Sequence, residues 1–420
     1  MSEWQEYTLG DIVDIKHGYA FKGEFFSETP TTDILVTPGN FKIGGGFKSD
    51  KLKYYNGEIP DGFVLSHEDI IVTMTDLSKQ ADTLGYSAKV PIDSSKVFLH
   101  NQRIGLLIFK DKSFDKDFIY WLMRAEHYQK FVAGSATGAT VKHSSPSRIR
   151  AFKFKAPTSN SLRKKIAKIL SNYDDLIENN LKRIKLLEES ARLTYEEWFL
   201  RFRIDGKKLD IDTATGLPFE WEVRKISDFV DTASGGTPSR RKPEEFYKDG
   251  TIPWVKTKEL KNFMIIDADE HITEQGLKKS SAKMFPANTV LLAMYGNTIG
   301  EVTFSTFPTS TNQACCAFLV KDKAYLSYFI HQYLLKNKQK ILGYRMGAAQ
   351  ENISQQIIKS IEIEIPSESL LQLFGKRLSE KYNLIKSLHT QNQLLKEARD
   401  ILLPRLMTGM IDTDNMDIAV

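Results

Sequence analysis

Cysteine is nearly absent from the 420 residues: the only two, Cys315 and Cys316, stand side by side in the apolar run NQACCAFLV. No second pair exists with which to build a disulfide framework or a thiolate metal site, so both read as small core residues. No stretch of about 18 consecutive apolar residues occurs, which argues against a membrane-spanning helix and a membrane partner. Met1 is followed by SEWQEYTLGD, without the basic-then-apolar layout of a secretory signal, and the expected location is cytoplasmic. An excess of one charge is lacking too. The net charge is +5, spread as +1 over 1–157, +2 over 158–205, +2 over 206–366 and 0 over 367–420. No polybasic tail exists; a nucleic-acid ligand then depends on cations clustering on one face.

Several chemistries are missing by motif. The stretch SGGTPSRRK at 234–242 has the glycines, hydroxyls and cations of a phosphate loop, but not the G-x-x-x-x-G-K-[ST] spacing. No strand is followed by G-x-G-x-x-G, and H-E-x-x-H, G-x-S-x-G and Cys/His clusters do not occur. One weak pattern remains, Asp249 with Glu259 and Lys261, which on paper could hold magnesium in a nuclease. A stand-alone metal-dependent DNA nuclease and a protein-binding scaffold are therefore the rival readings to a pure binding role.

What the chain does contain is an internal repeat. WQEYTLGDIVDIKHG matches WEVRKISDFVDTASG at an offset of 217, pairing Trp4 with Trp221, Asp11 with Asp228, Val13 with Val230, Asp14 with Asp231 and Gly18 with Gly235. Further on, Met74 parallels Met294, Asn101 and Gln102 parallel Asn312 and Gln313, and Gly138, Ala139, Ile149 and Pro157 parallel Gly347, Ala348, Ile358 and Pro366. The blocks keep their order while the loops between them differ in length. The chain is two copies of one unit.

Each copy closes with a helical pattern. After Pro157, apolar residues recur at Leu162, Ile166, Ile169, Tyr173, Ile177, Leu181, Ile184, Leu187, Ala191 and Trp198. After Pro366 they recur at Leu371, Phe374, Leu378, Tyr382, Ile385, Leu388, Leu395 and Leu402, with Gly375 as the one interruption before Pro404. Ser159 or Ser161 can cap the first helix and Ser367 or Ser369 the second. About 40 residues make a rod of about 60 Å. A narrow apolar seam of that length needs a partner, and pseudo-two-fold symmetry makes the twin helix an antiparallel one. The globular parts show short β-rich runs (DIIVTM, RIGLLIF, TVLLAMY, CCAFLV) that outnumber helices and do not alternate with them. The expected fold is α+β: globular domain 1 over 1–157, long helix 1 over 158–205, globular domain 2 over 206–366, and long helix 2 with a tail over 367–420. The two helices are expected to form a coiled coil.

The donor-rich positions suit DNA. In the second copy these are Gly235 and Gly236, expected to let backbone approach a ligand, then Thr237, Ser239, Arg240 and Arg241, then Lys256, Thr257 and Lys258, then Tyr295, Asn297 and Thr298, and finally Arg345 and Gln350. The corresponding positions of the first copy hold Lys16, Tyr19, Phe21 and Lys22, then Asn40, Phe41 and Lys42, then Thr75, Asp76 and Lys79, and then Thr140, Lys142, His143 and Arg148. Polar character persists between the copies while identity changes, as expected of two readers of different sequences on one scaffold.

The duplication of a variable unit followed by a heptad-like helix resembles the specificity subunit of type I restriction-modification systems over essentially the entire chain. SGGTPSR, IPWVKTKEL, GLKKSSAKMFPANTVLLAMYGNTIG and NQACC are similar to the family's second target-recognition domain, and LLKEARDILLPRLMTG to its closing helix. HGYAFKGEFF, in place of the double-glycine loop, departs from the pattern in the first copy and leaves base contacts by Phe21 and Lys22 open. The resemblance implies a non-catalytic subunit that reads a bipartite site on double-stranded DNA, one half per domain, with the helices as a ruler. It also implies docking of two methyltransferase subunits, which methylate adenine with S-adenosylmethionine, and of restriction subunits that use ATP and magnesium; this chain itself would bind no cofactor. Trp198 and Phe199 are candidates for the methyltransferase interface, with core packing an equal alternative for Trp198.

Overall fold

A computed structural model describes residues 3–76, 78, 80–138, 141–345, 351–411 and 413. The chain forms two compact units, Met1–Ile177 with Leu395–Val420, and Glu178–Leu394. These boundaries fall inside the two long helices, Asn160–Phe199 and Glu368–Met407, and not at their ends as the sequence reading has it. The reason is packing. Each half of a helix buries its seam against the globular part beside it.

In the first unit a four-stranded sheet runs in the order Val13–His17, Ile104–Phe109, Ile70–Thr73, Ser87–Lys89, and a five-stranded sheet carries the parallel pair Asp33–Val36 and Val97–His100. An antiparallel pair, Trp4–Thr8 with Lys153–Pro157, closes the unit. The second unit repeats the plan. Asp231–Ser234 pairs with Cys315–Leu319 and Thr289–Ala293 lies beyond; Ile252–Val255 runs parallel to Thr309–Thr311; and Glu222–Lys225 closes on Glu362–Ile365. Strands here are short, and their buried residues are apolar or small hydroxyl side chains, Thr289–Ala293 being buried at every position. Cys315 and Cys316 sit in this core as free thiols, and burial pushes the Cys316 thiol up to about 12.

The long helices pair antiparallel. In the first unit Leu162, Ile166, Ala167 and Leu170 share a core with Leu403, Leu406 and Met407, and Asp174 bridges the guanidinium groups of Arg124 and Arg399. In the second, Ile184, Ala191, Tyr195, Trp198 and Phe199 share one with Leu371, Phe374, Leu378, Tyr382, Ile385 and Leu388. The Asn180 side chain, fully buried, donates to Gln391 Oε1 at 2.8 Å and to Asn392 Oδ1 at 2.9 Å. The seam thus passes through Asn180, and Leu181, the residue assigned to it by hydrophobicity, is 41% exposed. Gly375 does not interrupt the second helix: a Cβ there would stand 2.4 Å from that of Tyr325, so the glycine lets the helix Ala324–Lys336 pack close.

Candidate nucleic-acid interface

Both units build the same backbone junction where the first inner strand ends. In the first, a Cβ on Gly18 would lie 2.2 Å from the Asn101 carbonyl oxygen, and the next N–H, of Tyr19, donates to His100 O at 2.8 Å. In the second, a Cβ on Gly235 would lie 2.0 Å from Thr311 O, and the Gly236 N–H donates to that oxygen at 2.9 Å. Gly236 is equally enclosed: a Cβ there would lie 2.0 Å from Ser281 Oγ. These glycines are required by packing within the protein, which corrects the expectation that they let backbone approach a ligand.

From this junction the second unit sends out residues 237–258. Trp254 Nε1 donates to Gly236 O at 3.0 Å and the Tyr247 hydroxyl to Pro238 O at 2.5 Å, so two aromatic rings pin the loop's own main chain. The Arg240 guanidinium lies 4.1 Å from the Tyr247 ring centre and 5.1 Å from that of Trp254, and both its terminal nitrogens donate to the Glu270 carboxylate, as does Lys256 Nζ. The Arg240 hydrogen bonds, with Lys256 adding, hold the Glu270 carboxyl down at about 2. Beside this cluster Arg241 is exposed and, among the described residues, makes no ion pair. Thr237 donates to Gln313 Oε1 at 2.6 Å, Ser239 is exposed, Thr257 is half-buried and Lys258 pairs with Asp269 at 2.7 Å. Tyr295 and Asn297 are exposed and Thr298 is half-buried; Arg345 pairs with Glu351 at 2.5 Å.

The first unit arranges its residues differently. Lys16 Nζ donates to Gly62 O at 2.7 Å and lies 5.1 Å from the Phe63 ring, which Tyr19 also meets. Lys22, Lys42 and His143 are exposed, and Lys142 and Arg148 half-buried. Thr75 is buried but its hydroxyl meets His143 Nδ1 at 3.1 Å, because the strand Lys142–His143 pairs with Thr75–Asp76. Burial works against the charge of Asp76, yet the N–H groups of Ser78 and Thr83 and the Thr83 hydroxyl outweigh it and hold the carboxyl below its usual range. Tyr295 bridges to Asn352 at the matching place in the second unit. Lys79, Thr140 and Gln350 lie outside the described residues.

Four expectations change. Phe21 packs in a small core with Tyr55 and Leu99. Asn40 is wholly buried, accepting from Thr37 N–H and donating to the Lys48 and Lys51 carbonyls, so it shapes its loop and offers no surface. Trp198 and Phe199 are 2% and 3% exposed within the aromatic cluster around Phe374, which takes both off any docking surface. Glu259 is buried with one oxygen accepting from Lys256 N–H and the other from Asp269 N–H, so the carboxylate of the magnesium reading is occupied by backbone. Among the described residues no group of three or more His, Cys, Asp or Glu is placed to hold a metal ion, and no helix is long and apolar enough to cross a membrane. Glu270, Tyr247 and Trp254 escaped sequence reasoning. The aromatics in EEFYKDGTIPW were a usable signal, being the cation–π partners Arg240 needed.

Comparison with known proteins decides the family. The model of the type I restriction modification DNA specificity domain matches residues 1–189 and again 218–397. The chain belongs to this family. The MjaIX specificity subunit of Methanocaldococcus jannaschii is 24% identical over 441 residues, covering 95% of this chain and 100% of that protein. The HindI specificity subunit of Haemophilus influenzae is 24% identical over 487 residues, covering 98% and 100%. The crystal structure of a type I restriction-modification S subunit from M. genitalium has the same fold, with a TM-score of 0.58 at 17% identity over 97% of this chain and 96% of that one. The protein is thus a type I specificity subunit, and its two matched segments are the two copies of the internal repeat.

Proposed function

We propose that this specificity subunit binds double-stranded DNA without catalysing a reaction, each unit reading one half of a bipartite site. The long helices set the spacing of the halves and dock two methyltransferase subunits. Catalysis resides in those partners and in restriction subunits, with S-adenosylmethionine, ATP and magnesium bound there. The observation that carries the reading is the repeat of the specificity-domain match, 1–189 and 218–397, on one strand plan with differing surface residues. The second unit's cluster of Arg240, Arg241 and Lys256 beside aromatic rings supports it, since Arg and Lys supply both phosphate and base-edge contacts. Linking two modest readers raises the effective concentration of the second once the first is bound, so a rare site is selected. The backbone-occupied Glu259 weighs against the nuclease alternative.

The test is to map methylated adenines across the genome of a host carrying the protein with its methyltransferase. A two-part motif is expected. Replacing Arg240 and Arg241 with Ala should relax base preference in one half of the motif only, and equal loss in both halves would contradict the modular reading.

A further inference from the structure

We infer that Glu270 is a positioning residue that makes Arg240 a fixed reader of guanine in the second unit, an inference that rests on the DNA-reading proposal above. The carboxylate takes the far end of the guanidinium, Oε1 from Nη1 and Oε2 from Nη2, the latter at 3.0 Å. That end-on grip leaves the edge formed by Nε–H and the adjacent Nη–H without a partner among the described residues. Two parallel donors on one edge match the two acceptors, O6 and N7, that guanine shows in the major groove. The Arg240 side chain is 53% exposed, so this edge is reachable.

Three constraints act on the guanidinium together. Glu270 fixes its direction, the Tyr247 ring at 4.1 Å fixes its plane, and the hydrogen bonds from Tyr247 to Pro238 O and from Trp254 to Gly236 O tie both rings to the loop that carries it. Rotamer freedom that a free arginine loses on binding is lost here before DNA arrives. Glu270 also pairs with Lys256, so one carboxylate tempers two cations, lowering attraction for phosphate of any sequence while leaving base readout intact. Arg241, exposed and without an ion pair among the described residues, is left to hold the backbone.

The experiment selects bound sequences from a randomised double-stranded DNA pool with the full chain, comparing wild type, E270Q, E270D, R240A and R240A/E270Q. Wild type should enrich a two-part motif. R240A should lose preference at one G·C pair in one half, and E270Q should weaken discrimination at that same pair by about tenfold. Binding of E270Q to unrelated duplex should tighten and fall more steeply with salt, as two released cations require. E270D, which keeps the charge, should lie between wild type and E270Q, and it carries the test should E270Q fail to fold by thermal denaturation. In the R240A background E270Q should change no base preference. Undiminished discrimination in both E270Q and E270D, a change at another base pair, or an equal change without Arg240 would overturn the inference. A wild-type chain that enriches no motif would overturn the DNA-reading proposal itself, and this inference with it.

Discussion

At the scale of single residues, the glycines of SGG show how one composition can serve two different ends. A pair of glycines beside hydroxyls and arginines reads as a cradle for phosphate, yet each Cα faces the protein's own backbone or Ser281. The requirement is steric, so Gly18→Ala or Gly235→Ala should lower the thermal midpoint by several degrees, since a Cβ placed within about 2.2 Å of a carbonyl oxygen forces strands apart. Thermal denaturation of each variant checks this. A midpoint unchanged with DNA binding lost would restore the ligand role instead. Arg240, Arg241 and Tyr295 stand out in the sequence by local composition, and all three are exposed in the structure. Glu270 was not, because thirty positions separate it from Arg240 and only the turn of the chain through Trp254 brings them together.

At the scale of elements, apolar spacing located both long helices, and the pseudo-two-fold repeat made their pairing antiparallel, as the cores they share within each unit bear out. The method failed where a polar residue held a seam position. Asn180 and Asn392 are buried, and Leu181 was assigned in place of Asn180 simply for being apolar. Asn180→Leu alone should destabilise by about 1–3 kcal/mol, since it leaves Gln391 Oε1 and the buried Asn392 without their donor. Asn180→Leu with Asn392→Leu should recover much of that loss, because two matched apolar groups bury no orphan. Urea denaturation of both single variants and the double gives the coupling; additive losses would mean the pair does not interact. Gly375 was legible as an oddity but not as a contact, because Tyr325 comes from a helix about fifty residues earlier.

At the scale of the whole molecule, the duplication was the most legible feature, since five identities at one offset survive any loop length. Each long helix is 40 residues without a break, and the spacing role proposed for it implies about 1.5 Å of added length per inserted residue. Adding four residues at matched places in both helices should therefore lengthen the tolerated spacer by about one or two base pairs and leave both half-motifs as they were. Methylome mapping of the insertion variant reads both quantities at once, and a changed half-motif with an unchanged spacer would rule the ruler out.

The junction at Gly18 and Gly235 carries a consequence for how such a protein changes. Because each junction is held by amide-to-carbonyl hydrogen bonds that depend on Gly18 and Gly235 but on no solvent-facing side chain, exposed residues of the second unit's loop such as Ser239 and Arg241 can change without disturbing it. Under the function proposed above, a new target is acquired by rewriting such exposed residues in one unit at a time.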